Sequence, residues 1–351
     1  MRRVLKLAAV ALAGSLALSA CGGDDDGGDT ASGDSTEAAS DIKVGLAYDI
    51  GGRGDKSFND SAAVGLDRAT EELGVEVEEL EAATGETDAQ KEERLRLLAD
   101  GGYNPIIAVG FAYAPAIEAV VGDYPDTNFG IIDDASFEAD NLANLVFAEN
   151  EGSFLVGAAA ALKSTSGTIG FVGGVSTPLI QKFEAGYIAG AKAANPSIVV
   201  QSQYLTQPPD FTGFTDPAKG RTAGQGLYDA GADVVFHAAG GSGTGVFEAA
   251  AAAGKLAIGV DSDQYESAAP NLQPVIMTSM IKRVDNAVFD FIQSAVDGEP
   301  LTGVQTFDLE KEGVGYATSN TGPNGIADIE TQLEDYKQQI IDGTITVPDK
   351  L

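Results

Sequence analysis

Asp261 closes the apolar run of "KLAIGVDSD". A carboxylate at the end of such a run can accept hydrogen bonds from both vicinal hydroxyls of a ribose, the role an acid plays in dinucleotide folds. The preceding stretch, "HAAGGSGTGVFEAA", follows a strand and opens a helix as those folds do, but Gly241 and Gly243 are followed by Val246 where G-x-G-x-x-G needs its third glycine. The ribose half of that chemistry is present and the pyrophosphate half is missing. A ribose without phosphates is a nucleoside or a sugar.

Two more loops carry candidate binding groups. In "YDIGGRGDKSFND" (48–60), Asp55 stands where a phosphate-binding P-loop has glycine before Lys-Ser, so a negative charge sits where phosphate would go. The same stretch contains the adhesion tripeptide Arg53-Gly54-Asp55, a short match in a chain rich in Gly and Asp. Ser57 with Asp60 resembles a capping box, which starts a helix close to Phe58 and Asn59 and aims an aromatic face and an amide off a strand's carboxyl end. The competing reading makes Phe58 a hydrophobic staple and Asn59 a cap. "DFTGFTDPAKG" (210–220) presents Phe211 and Phe214 among Gly, Pro and Asp, either as a ligand surface or as a plug for a sheet edge.

Reactive groups are scarce. One His and one Cys leave no Cys/His zinc site and no disulfide within the chain, and His237, ending "VVFHAAGG", has no G-x-S-x-G partner for a triad. No catalytic residue, metal or cofactor is expected. A formal net charge of −32 makes nucleic acid and anionic membrane surfaces poor partners, because both reward Lys and Arg.

The chain opens with Arg2, Arg3 and Lys6, then an apolar run to Leu18 too short to span a bilayer, then Ser19-Ala20-Cys21. This resembles a lipoprotein signal at 1–20, with diacylglycerol on Cys21. Residues 21–40 follow as an acidic tether with no apolar side chain larger than Ala beyond Cys21, which cannot offset the entropy of ordering. An exported protein held at the outer face of the cell membrane is expected, meeting that membrane by its lipid only. From Asp41 strands and helices alternate in two rounds, predicting parallel sheets in two α/β lobes. In the first, "IKVGLAYDI" is a strand and "DSAAVGLDRATEELG" a helix with Ala62, Leu66, Ala69 and Leu73 on one face. The predicted lobes are 41–148 plus 274–300, and 149–273 plus 301–351, with an irregular tail before a last polar helix and a ligand cleft between them.

Eight motifs in order from Asp49 to Asp285 carry a resemblance: "DIGGRGDKSFND", "FGIIDD", "FAENEGSFLVGAAAA", "IGFVGG", "GFTDPAKG", "AAGGSGTG", "IGVDSDQ" and "TSMIKRVD". Together they resemble the basic membrane protein family of lipoproteins, purine-nucleoside receptors of ABC importers. The resemblance implies the type I periplasmic-binding-protein fold with three crossovers, a nucleoside ligand, an ABC permease as partner and no enzymatic activity. It also implies that Phe58 and Phe214 sandwich the base, that Asn59 and Asp133 (or Asp134) bond its edge, and that Asp261 and Lys282 bind the ribose. Gly241 would allow close backbone approach, Asp49 would shape the first loop, and Arg53 would add a charge at the lip. The alternatives are an exported nucleoside-processing enzyme and the same fold serving as a sensor for a sugar or another small polar ligand.

Overall fold

The computed structural model describes residues 41–351 except Thr84; the segment read as a signal, Cys21 and the acidic tether lie outside the described residues. The first round gives β1 (Lys43–Ala47), α1 (Phe58–Leu73), β2 (Glu76–Leu80), α2 (Asp88–Asp100), β3 (Ile106–Ala108), α3 (Ala114–Val120), β4 (Phe129–Ile132) and β5 (Leu142–Phe147). The second gives α4 (Glu149–Lys163), β6 (Thr168–Val175), α5 (Pro178–Ala194), β7 (Val199–Thr206), α6 (Pro217–Asp229), β8 (Val234–Ala238), α7 (Gly243–Ala253), β9 (Leu256–Asp261), α8 (Gln264–Ser267) and β10 (Ile276–Lys282). The chain then runs through α9 (Val284–Val296), β11 (Gly303–Phe307), β12 (Val314–Tyr316) and α10 (Glu330–Ile341).

Two six-stranded sheets result, ordered β11-β5-β4-β3-β1-β2 and β12-β10-β9-β8-β6-β7. The first is parallel throughout; in the second β12 runs antiparallel to β10. Side chains alternate faces along a strand, so Val44 and Leu46 join the core beneath α1 and α9 while Ala47 joins Leu95 of α2 and Ile117 of α3 on the other face. Ala62, Leu66 and Ala69 are buried as expected of α1. Helices on both faces explain why strands such as "FGII" are apolar without alternation.

The predicted lobe boundaries need correction. The strand of the 274–298 unit pairs with β9 from Ile276↔Ala257 to Ile281↔Asp261, in the second sheet, and only its helix α9 returns to pack on α1. The crossover therefore falls inside that unit, at Arg283. The expected irregular tail contains β11 of the first sheet and β12 of the second. The lobes are thus 41–147 with 284–307, and 149–282 with 314–351. Three crossings join them, and they bond to one another: Ala148 N–H donates to Phe307 O at 2.9 Å and Arg283 N–H to Gly313 O at 2.9 Å. Among the described residues no helix is long and apolar enough to cross a membrane.

Helices α4 and α5 meet backbone to backbone and support the floor of the second lobe. A Cβ on Gly157 would lie 2.1 Å from the Tyr187 carbonyl oxygen, and one on Gly190 only 1.9 Å from that of Phe154. Gly190→Val should therefore destabilise the fold by roughly 1–3 kcal/mol, the usual cost of overpacking, read as a lower urea midpoint at unchanged slope.

Candidate functional site

The loops at the carboxyl ends of the strands face each other across a cleft. Phe58, Asn59, Asp133, Phe214, Asp261, Lys282 and Asp49 all line it. Asp134 does not; its carboxylate caps Ser136 at the surface, accepting the backbone N–H at 2.9 Å and the hydroxyl at 2.7 Å. A left-handed φ of 70° at Asp133 turns that side chain inward instead. Gly240 rather than Gly241 borders the cleft, at φ 52° and tight against the Phe214 carbonyl.

The first loop is built by its own acids. Asp55 accepts the backbone N–H groups of Ser57 at 2.9 Å, Asn59 at 2.9 Å and Asp60 at 3.1 Å. It fills the place at the start of α1 that a bound phosphate would take. The expected Ser57–Asp60 box does not form: Asp60 accepts from Gly54 and Lys56 of its own loop. Asn59, buried, accepts from Asp49 N–H at 3.1 Å and donates to Asp55 at 3.0 Å, so much of its capacity holds the loop in shape. Arg53 is not a charge at the lip; its guanidinium pairs with Glu79 at 2.9 Å and with Asp67 on the outside of the lobe. With Arg53 paired and Asp55 turned inward, the adhesion tripeptide is not presented.

Ser57 donates instead across the cleft to Asp261, 2.5 Å away, while Gln264 donates to Lys56 O at 2.8 Å and Ser262 to the same oxygen at 3.2 Å. These bonds join the lobes across the cleft. At the hinge end Lys282, 1% exposed, bonds Asp133 at 2.6 Å and pairs with Glu149 at 3.0 Å. Lys282 does not pair directly with Asp261; other carboxylates hold the ammonium, and Asp261 feels it at longer range. Its Nζ also lies 5.2 Å from the Phe58 ring centroid and 4.9 Å from that of Phe147.

Burial sets the protonation. Desolvation pushes the carboxyl of Asp49 up to about 7, that of Asp261 to about 7 against the opposing pull of Lys282 and Ser57, and that of Asp133 to about 6. The surrounding acids push the Lys282 ammonium further up against its own burial. A wall of acidic groups with one paired cation favours ligands that donate hydrogen bonds and disfavours anions. His237 lies buried beneath, in edge contact with Phe247, and burial lowers it to about 4. It is a core residue. Among the described residues no cluster of three or more His, Cys, Asp or Glu could hold a metal.

Sequence reasoning missed Asp55, Phe111 and Phe183 as cleft residues and Glu149 as partner of Lys282. Asp55 was seen only as a phosphate repellent. Phe183 and Glu149 lay within helices whose apolar or small residues gave no sign of facing a ligand.

Residues 42–350 match the family model described as ABC transporter substrate-binding protein PnrA-like, Bmp. The chain belongs to that family. Its relatives include the CD4+ T-cell-stimulating antigen of Listeria innocua, 35% identical over 97% of this chain and 96% of the relative. Another is the ABC transporter nucleoside-binding protein BmpA of Lactococcus lactis, 34% identical over 99% of both chains. Among solved structures, an ABC transporter solute-binding protein of Aeropyrum pernix K1 is 30% identical with a TM-score of 0.74, over 88% of this chain and 94% of that one. As a Bmp-family substrate-binding protein it serves an ABC transporter, and its fold is that of the periplasmic-binding-protein-like solute-binding proteins.

A buried carboxyl that stays protonated near neutrality costs the fold stability once it ionises. Asp261 ionises at about 7 in the folded chain, above the ordinary value of about 3.9. Its contribution is therefore full below about pH 4 and is lost as pH rises through about 7. Asp261→Asn should raise the melting temperature of the ligand-free protein relative to wild type at pH 8 and leave the two similar near pH 4, measured by scanning calorimetry.

Proposed function

We propose that this chain captures nucleosides, purine nucleosides foremost, in the interlobe cleft and delivers them to an ABC permease without turning them over. Export and anchoring by lipid on Cys21 complete the reading, on the strength of the segment ending Ser19-Ala20-Cys21. The observation that carries it is a pair of phenyl rings, Phe58 and Phe214, contributed by opposite lobes to one cleft whose polar side chains are four carboxylates, one amide and one paired ammonium. A neutral nucleoside offers two flat faces, a donor-bearing edge and a diol. Stacking contributes roughly 1–3 kcal/mol per base, and hydrogen bonds to ionised groups roughly 1.5–3 kcal/mol each. The nucleoside-binding name of the Lactococcus relative agrees with this.

In this reading Phe58 and Phe214 hold the base, Asp261 receives the ribose within the longer-range field of Lys282, and Asp49 and the free capacity of Asn59 meet the far edge. Asp133 lies between, felt electrostatically by both Asp49 and Asp261. Gly240 takes the close-approach role expected of Gly241.

Titration calorimetry with adenosine, guanosine, inosine, cytidine and uridine should give micromolar or tighter binding to at least the purine nucleosides. Absence of binding to all of them refutes the reading. The 5′-monophosphates should bind at least about a hundredfold more weakly, since like charges placed together cost several kcal/mol.

Ligand hydroxyl and N–H donors favour the ionised form of Asp261 and Asp49, both at about 7 in the free protein. Binding should therefore release protons at pH 7, and affinity should fall as pH drops from 8 to 5.5. Titrations in buffers of different ionisation enthalpy measure both; proton uptake on binding would contradict the assignment.

A further inference from the structure

We propose that the site accepts nucleosides bearing an apolar or aromatic substituent on the base edge remote from the sugar, and that a second chamber at the cleft mouth receives it; this rests on the nucleoside reading above. The chamber, about 270 Å³ and partly open to solvent, shares Asp49, Ile50, Phe111 and Phe214 with the main cleft. Two cavities with four common walls are neighbours. Both lobes contribute, since Phe111 precedes α3 and Phe214 precedes α6.

The ends of the cleft differ in their charged neighbours, which fixes the direction of a bound ligand. Asp261 lies among Ser57, Lys282 and Asp55, away from the chamber. Asp49 lies among Lys91 and Glu86, both of which line the chamber. A pentose held at Asp261 therefore sends the opposite edge of a purine, with N1 and C6, toward Asp49 and the chamber beyond. Filling this end with side chains would have limited the ligand to an unsubstituted base. Open space is found there instead.

The chemistry of the chamber selects the substituent. Phe211 meets Phe111 edge-on, ring centroids 5.9 Å apart at 63°, and with Pro209 makes an apolar ledge spanning the two lobes. Phe211 lines only this outer space, so its place is neither the base pocket nor a buried sheet edge. Glu86 is held by Arg94 at 2.6 Å and Lys91 by Asp88 at 3.4 Å, so the apolar ledge rather than a free charge selects the substituent. A benzyl or alkyl group on N6 or O6 fits that description; a phosphate or carboxylate does not.

Calorimetry with adenosine beside N6-benzyladenosine, and guanosine beside O6-benzylguanosine, tests this in wild type and Phe211→Ala. Each benzyl derivative should bind wild type within about tenfold of its parent, and Phe211→Ala should weaken the derivative about three- to tenfold, the scale of one lost aromatic contact, while leaving the parent unchanged. A hundredfold or greater loss for the derivatives beside intact binding of the parents overturns the chamber and leaves the nucleoside reading standing. So does a Phe211→Ala effect that is absent, or equal for parent and derivative. Failure of both parents to bind overturns the two together.

Discussion

The ammonium of Lys282 holds this architecture in register. It ends β10, one residue before the crossover at Arg283; Glu149 follows the crossover at Ala148; Asp133 follows β4. One buried cation thus ties two crossings and both lobes together. Removing one member of such a buried group typically costs about 3–5 kcal/mol, because the remaining charges lose their compensation. Burial raises the Asp261 pKa, and Lys282, bonded to Asp133 and Glu149, opposes that rise only at longer range, leaving Ser57 as the close donor of Asp261. A carboxyl so poorly compensated gains from any ligand that brings hydroxyl groups to it.

Much of this was legible in the chain. Alternating apolar strands and amphipathic helices gave two α/β lobes because burial on both faces of a sheet leaves a plain signature in residues such as those of β4. The loop residues Phe58, Asn59, Phe214 and Asp261 could be picked out because they follow apolar runs, and strand ends in such folds open on the cleft. Choosing between Asp133 and Asp134 needed the backbone: adjacent carboxylates are equivalent in sequence, and only the left-handed turn at Asp133 separates them.

What remained hidden depends on contacts distant in the chain. β5 is hard to read in the chain because Asn144 interrupts its apolar pattern; that amide is buried and bonds the carbonyls of Asp134 and Phe137, so its polarity is satisfied by a neighbouring loop. β11 and β12 are short edge strands whose membership is set by which sheet has a free edge. Crossovers are invisible to periodicity, since a strand and the helix after it look alike whether or not they share a lobe. The Ser57–Asp261 bond spans 204 positions in the chain, beyond any local rule.

Asp55 has an evolutionary consequence. Because its carboxylate already satisfies the amides that open α1, a descendant recruited to carry phosphorylated cargo could not gain that ability by adding a lysine or arginine nearby. It would first have to lose Asp55, and with it the bonds that Asp55 accepts from Ser57, Asn59 and Asp60. The start of α1 is in this sense closed to a phosphate by the loop's own scaffolding.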